Sequence, residues 1–572
     1  MENRNCQNCK KDFIIEPDEF GLYEKVQVPP PTFCPDCRAQ RRLVWRNNIS
    51  LYSSTCELCK KSVITTYAPG SDIIIYCNKC WWSDKWDPMN YGADYDFSKP
   101  FFQQYKELMH RTPHIAIVND DGIASLNSEY TYDNWFAKNC YMVFSGWRSE
   151  NSMYSFYILA GKDIMDCFSL TEKNDWVYEC TDCERCYQVK NSQFAIACSD
   201  SQFLYDCRGC TSCFMSTGLR NRKYCFRNVE YAKEEYERIV AEYRLDTWSG
   251  MERALKEYNE YILLYPRKYA YILQCFNSTG DIISNCKNSK NCFNVSGTEN
   301  CRYYDYGIGA KDSQDFSMSG ELSECYEGAV LDHSQQNRFG VFTVKSQDVR
   351  YTQHCHSSKY LFGCVSVRNG KYCILNKQYT KEEYETLVLK IIAHMNETPY
   401  TDAQGLEYRY GEFFPIELSP FGYNETIAHG RFPLTRESAL EKGYPWQDTQ
   451  QLTKGKETLR TEEIPKTITE TPDTITKEIL ACTLCERNYK IVPQELTFYR
   501  KMNIPIPHRC FHCRHTARNE RRNPFILWHR ACMCKKESHS HTGKCINEFE
   551  TSYAPERPEI VYCEACYQKE IN

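Results

Sequence analysis

Cysteine pairs spaced as C-x-x-C are the residues of this chain whose type and spacing best fit a defined chemistry. The pairs at 6–9 and 34–37 recur at 482–485 and 510–513, and 24 residues separate the inner cysteines in both cases. The intervening sequence also matches, since "EFGLYEKVQVPPPTFC" aligns with "ELTFYRKMNIPIPHRC". Zn²⁺ binds four thiolates tetrahedrally, and each C-x-x-C turn supplies two of them to one ion. The spacing therefore predicts a four-cysteine zinc site in each half of the chain.

A second zinc site follows each of these. The pair at 56–59 is followed after 17 residues by the pair at 77–80, and Cys545 is followed after 17 residues by the pair at 563–566. "TTYAPGSDIIIYC" aligns with "TSYAPERPEIVYC", and in this register Thr542 stands where the first copy has Cys56. We place Cys534 in the missing position, with Cys532, His539 and His541 as alternatives. The predicted zinc ligands are Cys6, Cys9, Cys34, Cys37, Cys56, Cys59, Cys77, Cys80, Cys482, Cys485, Cys510, Cys513, Cys534, Cys545, Cys563 and Cys566.

The paired motifs of residues 1–90 and 480–572 resemble zinc ribbons and treble-clef fingers. The resemblance implies small modules in which two zinc knuckles share one ion, about four ions per chain, and it does not imply one particular function. The whole layout is also similar to a group of uncharacterised bacterial multi-CxxC proteins, and that similarity implies no activity.

The 35 cysteines in 572 residues need a reason other than disulfides if the chain works in a reducing compartment. We find no run of about 18 apolar residues and no apolar leader after Met1, so we expect a cytoplasmic protein without a membrane partner. Eighteen of the cysteines lie between residues 140 and 373, mostly outside the long-range C-x-x-C pairing. We expect these interior thiols to be reduced and buried. "CTDCERC" and "CRGCTSC" leave a bound metal or an iron–sulfur cluster as the alternative.

The middle of the chain is a repeat. "NRKYCFRNVEYAKEEYE" at 221–237 recurs as "NGKYCILNKQYTKEEYE" at 369–385, and short units such as "NSQFAIACSD" recur every 9–12 residues in places. Brief apolar alternation between Asn, Asp and Ser turns is typical of short strands, and a fixed short period is typical of stacked folds. The pattern predicts a duplicated parallel β-solenoid with about 20 residues per coil, each copy closed by a helix. The expected fold class is mainly β with helices, with paired zinc modules flanking the duplicated solenoid.

The repeats also predict approximate domain boundaries along the chain. The predicted boundaries are 1–50 (zinc module 1), 51–92 (zinc module 2), 93–137 (connecting helical segment), 138–230 (first solenoid), 231–270 (helical cap), 271–378 (second solenoid), 379–396 (helical cap), 397–479 (irregular linker), 480–526 (zinc module 3) and 527–572 (zinc module 4).

Two functions from different classes fit these features. The first is a non-enzymatic scaffold that presents zinc modules and solenoid faces to protein partners, and the 43 tyrosines suit such interfaces. The alternative is RNA or DNA binding by basic helices next to the zinc sites. Its candidate residues are Arg38, Arg41, Arg42, Arg46, Arg514, Arg518, Arg521 and Arg522. The net charge of −5, which four zinc–tetrathiolate centres would take to about −13, excludes indiscriminate binding to nucleic acid.

Enzymatic activity is a third hypothesis, and the sequence supports it less than the other two. The chain lacks the P-loop, H-E-x-x-H and G-x-S-x-G motifs, and no small-molecule substrate is indicated. Asp163, Asp166, Asp200 and Asp206 could line a hydrolase groove, although turn formation explains them better. "HCH" at 354–356 places a thiol between two imidazoles, but neighbours in a strand point to opposite faces.

Overall fold

The computed structural model describes residues 1–47, 49–448, 453–539 and 541–571. The fold is mainly β and contains two large, predominantly parallel sheets together with several two-stranded sheets. None of the helices in these ranges combines the length and the apolar character needed to cross a lipid bilayer.

The N-terminal region consists of two small hairpin–helix units. Helix α1 begins at Pro17, where a missing N–H costs nothing, and Glu16 and Glu19 form a reciprocal capping box. The elements are β1 (Glu2–Asn5), β2 (Asp12–Ile15), α1 (Pro17–Lys25), α2 (Pro35–Leu43), β3 (Tyr52–Thr55), β4 (Ser62–Thr65), β5 (Ile75–Tyr76), α3 (Asn78–Trp81), α4 (Phe101–Arg111) and β6 (His114–Ile115). Strand β1 pairs with β2 and β3 with β4, both antiparallel, whereas β5 pairs with β6 in parallel.

The first large sheet is a ladder of short parallel strands that ends in an antiparallel hairpin. Its strands are β7 (Tyr132–Trp135), β8 (Tyr141–Trp147), β9 (Met153–Leu159), β10 (Lys162–Met165), β11 (Phe168–Thr171), β12 (Asp175–Tyr178), β13 (Thr181–Glu184), β14 (Tyr187–Lys190), β15 (Gln202–Tyr205), β16 (Phe214–Thr217), β17 (Cys225–Phe226) and β18 (Val229–Glu230). Helices α5 (Lys233–Glu242) and α6 (Trp248–Ile262) follow, and α5 packs against β17. The short strand β19 (Arg267–Lys268) leads into the second sheet.

The second large sheet repeats this plan. Its strands are β20 (Ile272–Leu273), β21 (Gly280–Ser284), β22 (Cys292–Ser296), β23 (Arg302–Lys311), β24 (Gln314–Ser323), β25 (Tyr326–Gln335), β26 (Arg338–Val344), β27 (Gln347–Gln353), β28 (Lys359–Phe362), β29 (Lys371–Ile374) and β30 (Lys377–Gln378). Helix α7 (Lys381–Glu397) follows and packs against β29, with Thr380 and Glu383 in a capping box.

Most paired residues of the parallel strands in these sheets are 12 positions apart, as in Tyr141 with Met153 and Phe293 with Asp305, and a few pairs are 11 or 13 apart. Our expectation of about 20 residues per repeat is therefore wrong. From Asp133 to Glu172 every third residue has φ near +50°, so the chain turns sharply once per three residues. The hydrophobic pattern of the sequence did not reveal this three-residue period, because the residue buried in each unit of three varies among cysteine, serine, glycine and aliphatic residues.

Asparagine side chains stabilise the left-handed corners, a conformation that asparagine adopts more readily than most residues. In the first sheet the amide of Asn127 donates to Asn139 at 3.0 Å, Asn139 donates to Asn151 at 3.1 Å, and Asn151 donates to Asp163 at 3.2 Å. The second sheet has the corresponding row of Asn277, Asn288, Asn300 and Asp312, with separations of 3.1, 3.2 and 2.7 Å. The same row in both sheets supports the duplication read from the sequence.

The segment after α7, which we expected to be an irregular linker, carries short elements and packs into the core in part. Phe413 and Phe414 are fully buried, and the ring of Phe414 lies 4.8 Å from Tyr105 and 5.0 Å from Trp45. The elements are β31 (Tyr400–Thr401), β32 (Glu407–Tyr408), α8 (Ile427–Arg431) and α9 (Arg436–Glu441). Short 3-10 turns occur at Pro88–Tyr91, Ile416–Leu418, Tyr423–Glu425, Thr461–Glu463, Asp473–Lys477 and Glu537–His539.

The C-terminal region repeats the hairpin–helix units of the N-terminal region. Its elements are β33 (Leu480–Ala481), β34 (Asn488–Tyr489), α10 (Pro493–Met502), α11 (Phe511–Glu520), β35 (Trp528–Ala531), β36 (Glu548–Thr551), β37 (Val561–Tyr562) and α12 (Glu564–Ile571). Strand β37 pairs in parallel with β19, just before the second sheet, as β5 pairs with β6 before the first.

Candidate metal centres

Four groups of cysteines bring four sulfur atoms each to within 4.8 Å of one another. The groups are Cys6, Cys9, Cys34 and Cys37; Cys56, Cys59, Cys77 and Cys80; Cys482, Cys485, Cys510 and Cys513; and Cys532, Cys545, Cys563 and Cys566. One cross-pair Sγ–Sγ distance in each group, in the same order, is 3.6, 3.9, 3.7 and 3.9 Å. Four thiolates about 2.3 Å from one zinc ion would lie about 3.8 Å apart. The sulfur positions therefore fit a tetrahedral metal ion.

A tight hairpin turn presents the first cysteine pair of the first three groups. In the first group the amide of Lys10 donates to the carbonyl of Cys6 at 3.0 Å, and the amide of Cys6 donates to Lys11 at 2.9 Å. The residue after the second cysteine has a left-handed backbone in all three groups, at Lys10, Lys60 and Glu486. This local geometry is why the C-x-x-C spacing alone was sufficient to locate these turns.

The second cysteine pair of each group lies at the start of a helix. Cys34, Cys77 and Cys510 are the N-cap residues of α2, α3 and α11. The backbone amides of Cys34 and Cys77 each donate to a sulfur of the first pair at 3.2 Å. Helix N-termini favour negative charge, so they stabilise the thiolate form that a metal requires.

The fourth group contains Cys532, whereas our sequence alignment had favoured Cys534. Strand β35 ends one residue before Cys532 and pairs with β36. In the N-terminal module, β3 ends one residue before Cys56 and pairs with β4 in the same way. The amide of Cys563 donates to the sulfur of Cys532 at 3.3 Å, which repeats the contact made to Cys56. The loop between Cys532 and Cys545 is thus a widened first knuckle. In the register that places Cys532 opposite Cys56, the preceding segments "LYSST" and "LWHRA" both begin with leucine and an aromatic residue, and this signal could have identified Cys532.

One cysteine in each group has a lowered pKa. These cysteines are Cys6, Cys59, Cys482 and Cys563. A hydrogen bond from the backbone of Lys61 lowers the pKa of Cys59 to about 7. Burial raises the pKa of Cys563, but the amide of Asn547 and neighbouring donors outweigh it and bring the pKa to about 7. Each group can therefore offer a first thiolate to an incoming cation near neutral pH.

The interior cysteines are arranged differently. The thiol of Cys355 donates to the carbonyls of Gln353 and Cys364, both at 3.5 Å, and burial raises its pKa to about 12. Within the described ranges, no group of three or more potential metal ligands includes a cysteine between 140 and 373. The ring of His354 stacks on Phe342, and the ring of His356 meets Trp82 edge-on. These residues follow the end of β27 at Gln353, so the strand alternation that we expected at this place does not apply.

The eight arginines considered for nucleic-acid contact form intramolecular ion pairs. Arg38 and Arg42 pair with Asp315, Arg41 with Glu327 and Glu412, Arg46 with Asp133, Arg514 with Asp166 and Glu495, Arg518 with Asp166 and Glu179, Arg521 with Glu179, and Arg522 with Asp182. The side chains of Arg38, Arg41, Arg42, Arg46 and Arg518 are at most 1% exposed. Most of these guanidinium groups are therefore shielded from solvent by the sheets.

Each of the two basic helices packs on the large sheet that is farther from it along the chain. Helix α2, from the N-terminal half, packs on β24 and β25 of the second sheet, whereas α11, from the C-terminal half, carries arginines bound to Asp166 of the first sheet. Asp166 and Asp315 occupy corresponding places in "GKDIMDCFSL" and "AKDSQDFSMS". The two interfaces are therefore equivalent halves of one duplicated arrangement.

The aspartates considered for a hydrolase groove all occupy left-handed corners, with φ between 46° and 53°. Asp166 is bound by Arg514 and Arg518, and Asp206 is bound by Arg220 and Tyr567. Of the four, only Asp200 is exposed. Their positions fit a structural role at corners and interfaces.

Comparison with known proteins adds no family to this description. No model of a known protein family matches the chain, and no curated protein matches it.

Proposed function

We propose that this chain is a zinc-binding, non-enzymatic interaction protein in which the metal ions hold two β-solenoids and their flanking modules in one rigid body. The observation that carries the proposal is the set of four four-cysteine groups. Four thiolates fill every position of a tetrahedral ion and leave none for a substrate, which is the arrangement of structural zinc sites. The modules that bear them are of zinc-ribbon or treble-clef type in this proposal, since each joins a knuckle hairpin to a helix N-terminus.

The solenoid part of the proposal rests on the regular geometry of the sheets. The 12-residue offset and the left-handed residue at every third position suit a coil with a corner every three residues. Buried side chains stack on one another along the coil axis. Ser201, for example, accepts from the amide of Cys213, which lies 12 residues further on, at 3.0 Å and donates to the carbonyl of Ser199 at 2.7 Å. Small hydrogen-bonding side chains such as serine and cysteine suit a narrow interior of this kind.

The burial of the basic helices counts against the nucleic-acid alternative. Arg42 lies at 3.0 Å from Asp315, and Arg518 at 3.0 Å from Asp166, with all four side chains at most 1% exposed. A phosphate could reach them only if the helices left the sheets, which would strand buried carboxylates without partners. Protein partners on the outer faces require no such rearrangement.

We propose that the first rungs of the two solenoids are the contact surfaces for a protein partner. Leu126 and Phe276 occupy corresponding places there and are 57% and 69% exposed. Phe136 and Trp147 form an exposed aromatic pair on the first sheet, with ring centroids 4.7 Å apart. Exposed aromatic residues with polar surroundings are typical of binding surfaces. None of the 35 cysteines, all of which lie in the described residues, forms a disulfide, and we propose the reducing cytoplasm as the working compartment.

The test is affinity purification of the full-length protein from its native cells, after nuclease treatment and with washes at high salt. We expect a protein partner that stays bound to the wild type and is lost from the double variant Leu126→Ser, Phe276→Ser. Leu389→Ser is the matched control, because Leu389 is 70% exposed on α7, away from these rungs. A partner retained by the double variant would refute this surface, and nucleic acid as the sole retained material would favour the alternative.

A further inference from the structure

A fifth group of metal-ligating side chains lies beside the fourth four-cysteine group and shares one residue with it. Ligand atoms of Cys534, His541 and Cys566 all lie within 4.8 Å of one another, and Cys566 also belongs to the fourth group. The Sγ of Cys566 is 3.5 Å from the Nε2 of His541. A sulfur and a nitrogen bound tetrahedrally to one zinc ion would lie about 3.6 Å apart, so this separation fits a common ion.

His539 lies next to this group but is not one of the three residues whose ligand atoms all lie within 4.8 Å of one another. Its Nδ1 lies 3.2 Å from the sulfur of Cys534, and His539 is only 8% exposed although it belongs to a short surface turn. Cys534 itself is fully buried. Two thiols and one imidazole that face one point, with a second imidazole in contact with one of the thiols, can supply the donor set of a two-sulfur, two-nitrogen zinc site.

Both histidines are oriented by oxygen atoms on their opposite sides. The Nδ1 of His541 is 2.9 Å from the carbonyl of Gly543, and the Nε2 of His539 is 3.6 Å from a carboxylate oxygen of Glu570. A histidine that ligates a metal ordinarily donates its other N–H to a carbonyl or a carboxylate, which fixes the tautomer. The nitrogens directed at the sulfurs are therefore the ones left with free lone pairs.

The ligands come from an insertion that the equivalent N-terminal module lacks. Only two residues separate Cys56 from Cys59, whereas 12 separate Cys532 from Cys545, and Cys534, His539 and His541 all lie within those 12. The ordinary knuckle binds one ion without such a loop. The added residues thus supply three further potential ligands, and the first set keeps all four of its cysteines.

We propose that Cys534, His541 and Cys566 hold a second Zn²⁺ in this module and that His539 turns toward the ion as the fourth ligand, with the sulfur of Cys566 bridging to the ion of the fourth four-cysteine group. The chain then carries five ions, four in tetrathiolate sites and one in a two-sulfur, two-nitrogen site. This inference goes beyond the proposed interaction role and depends only on metal binding by the fourth group.

Native mass spectrometry of the full-length zinc protein, desalted into metal-free buffer, counts the ions directly. We expect five ions in the wild type and four in the double variant His539→Ala, His541→Ala, because that variant loses only the added site. His529→Ala is the matched control, since His529 is an exposed histidine of the same module on β35 and should leave five ions bound.

Cobalt substitution provides the second readout. Two Co²⁺ ions joined by a thiolate couple magnetically, so the paramagnetic signal per cobalt should fall as the last ion binds and should not fall in the double histidine variant. A wild-type count of four, or a count of five in the double variant, would overturn the proposal. A count of three or fewer in the double variant would also overturn it, because the histidines would then serve the fourth group itself.

Discussion

The substitution Asp315→Asn tests whether the basic helix α2 is held on the second sheet by buried charge. Asp315 has no exposed surface and accepts from Arg38 and from Arg42, both at 3.0 Å. Asparagine preserves the shape and one acceptor oxygen but removes the charge that both guanidinium groups face. The substitution therefore isolates the electrostatic part of the contact.

The expected loss follows from burial. Removing one partner of a buried ion pair costs about 3–5 kcal/mol, because a charge is left in the interior without compensation. Glu327 remains 3.8 Å from Arg38 and 2.8 Å from Arg41, so part of the compensation survives. We therefore expect a loss near the lower limit, about 3 kcal/mol in the free energy of unfolding.

The assay is urea unfolding of the zinc-loaded protein, followed by tryptophan fluorescence. Trp45 is 1% exposed, follows α2 directly, and reports on the docking of that helix through its contact with Phe414. Asp166→Asn should cause a similar loss, since it is the corresponding residue under Arg514 and Arg518.

Glu57→Gln is the control, because the Glu57–Lys60 pair is 54% and 69% exposed and such pairs contribute at most about 1 kcal/mol. If Asp315→Asn costs no more than this control, the arginines are not held in buried pairs in solution. That result would refute the docked arrangement and revive the nucleic-acid alternative.

Three further outcomes are expected. Chelation of the metal should make the thiols of the four cysteine clusters react with a thiol reagent at pH 8, while the interior thiols stay unreactive until the protein unfolds. Equal reactivity of the two sets would contradict the division into metal-binding and interior cysteines. Burial raises the pKa of Cys355 to about 12 from 9.0, so the unfolded chain loses this proton first as the pH rises. The contribution of the Cys355 thiol to the free energy of unfolding should be fully present below pH 9 and should be lost as the pH approaches 12. In denaturant titrations, Cys355→Ala should reduce the fall of the unfolding free energy with pH by up to about 1.4 kcal/mol per pH unit. Ser201→Ala should lower the free energy of unfolding by about 1–3 kcal/mol in the same assay, because the buried amide of Cys213 loses its acceptor. An effect below about 0.5 kcal/mol, the usual size at an exposed site, would mean that water replaces the hydroxyl.

The candidate metal ligands could be identified from the sequence where the pairs that form each cluster are close together along the chain. A C-x-x-C turn closes within a few residues, so Cys6 and Cys9 needed no knowledge of the rest of the fold. The fourth site was harder because its knuckle is interrupted by the inserted loop, and only the pairing of β35 with β36 assigns Cys532 rather than Cys534. The 12-residue period of the two large sheets was not found from the sequence for a related reason, since residues of many sizes occupy the buried position in each three-residue unit.

The sequence by itself determined that this chain has a duplicated, mainly β centre and clusters of cysteines that could bind metal ions, because turn-forming motifs and repeats act over short distances along the chain. Only the tertiary structure decided the role of the arginines. A basic helix beside a metal site looks the same in sequence whether it faces nucleic acid or a carboxylate, and the partner of Arg38 lies 277 residues away at Asp315. Charge is visible in a sequence, but its compensation depends on which distant surfaces the folded chain brings together.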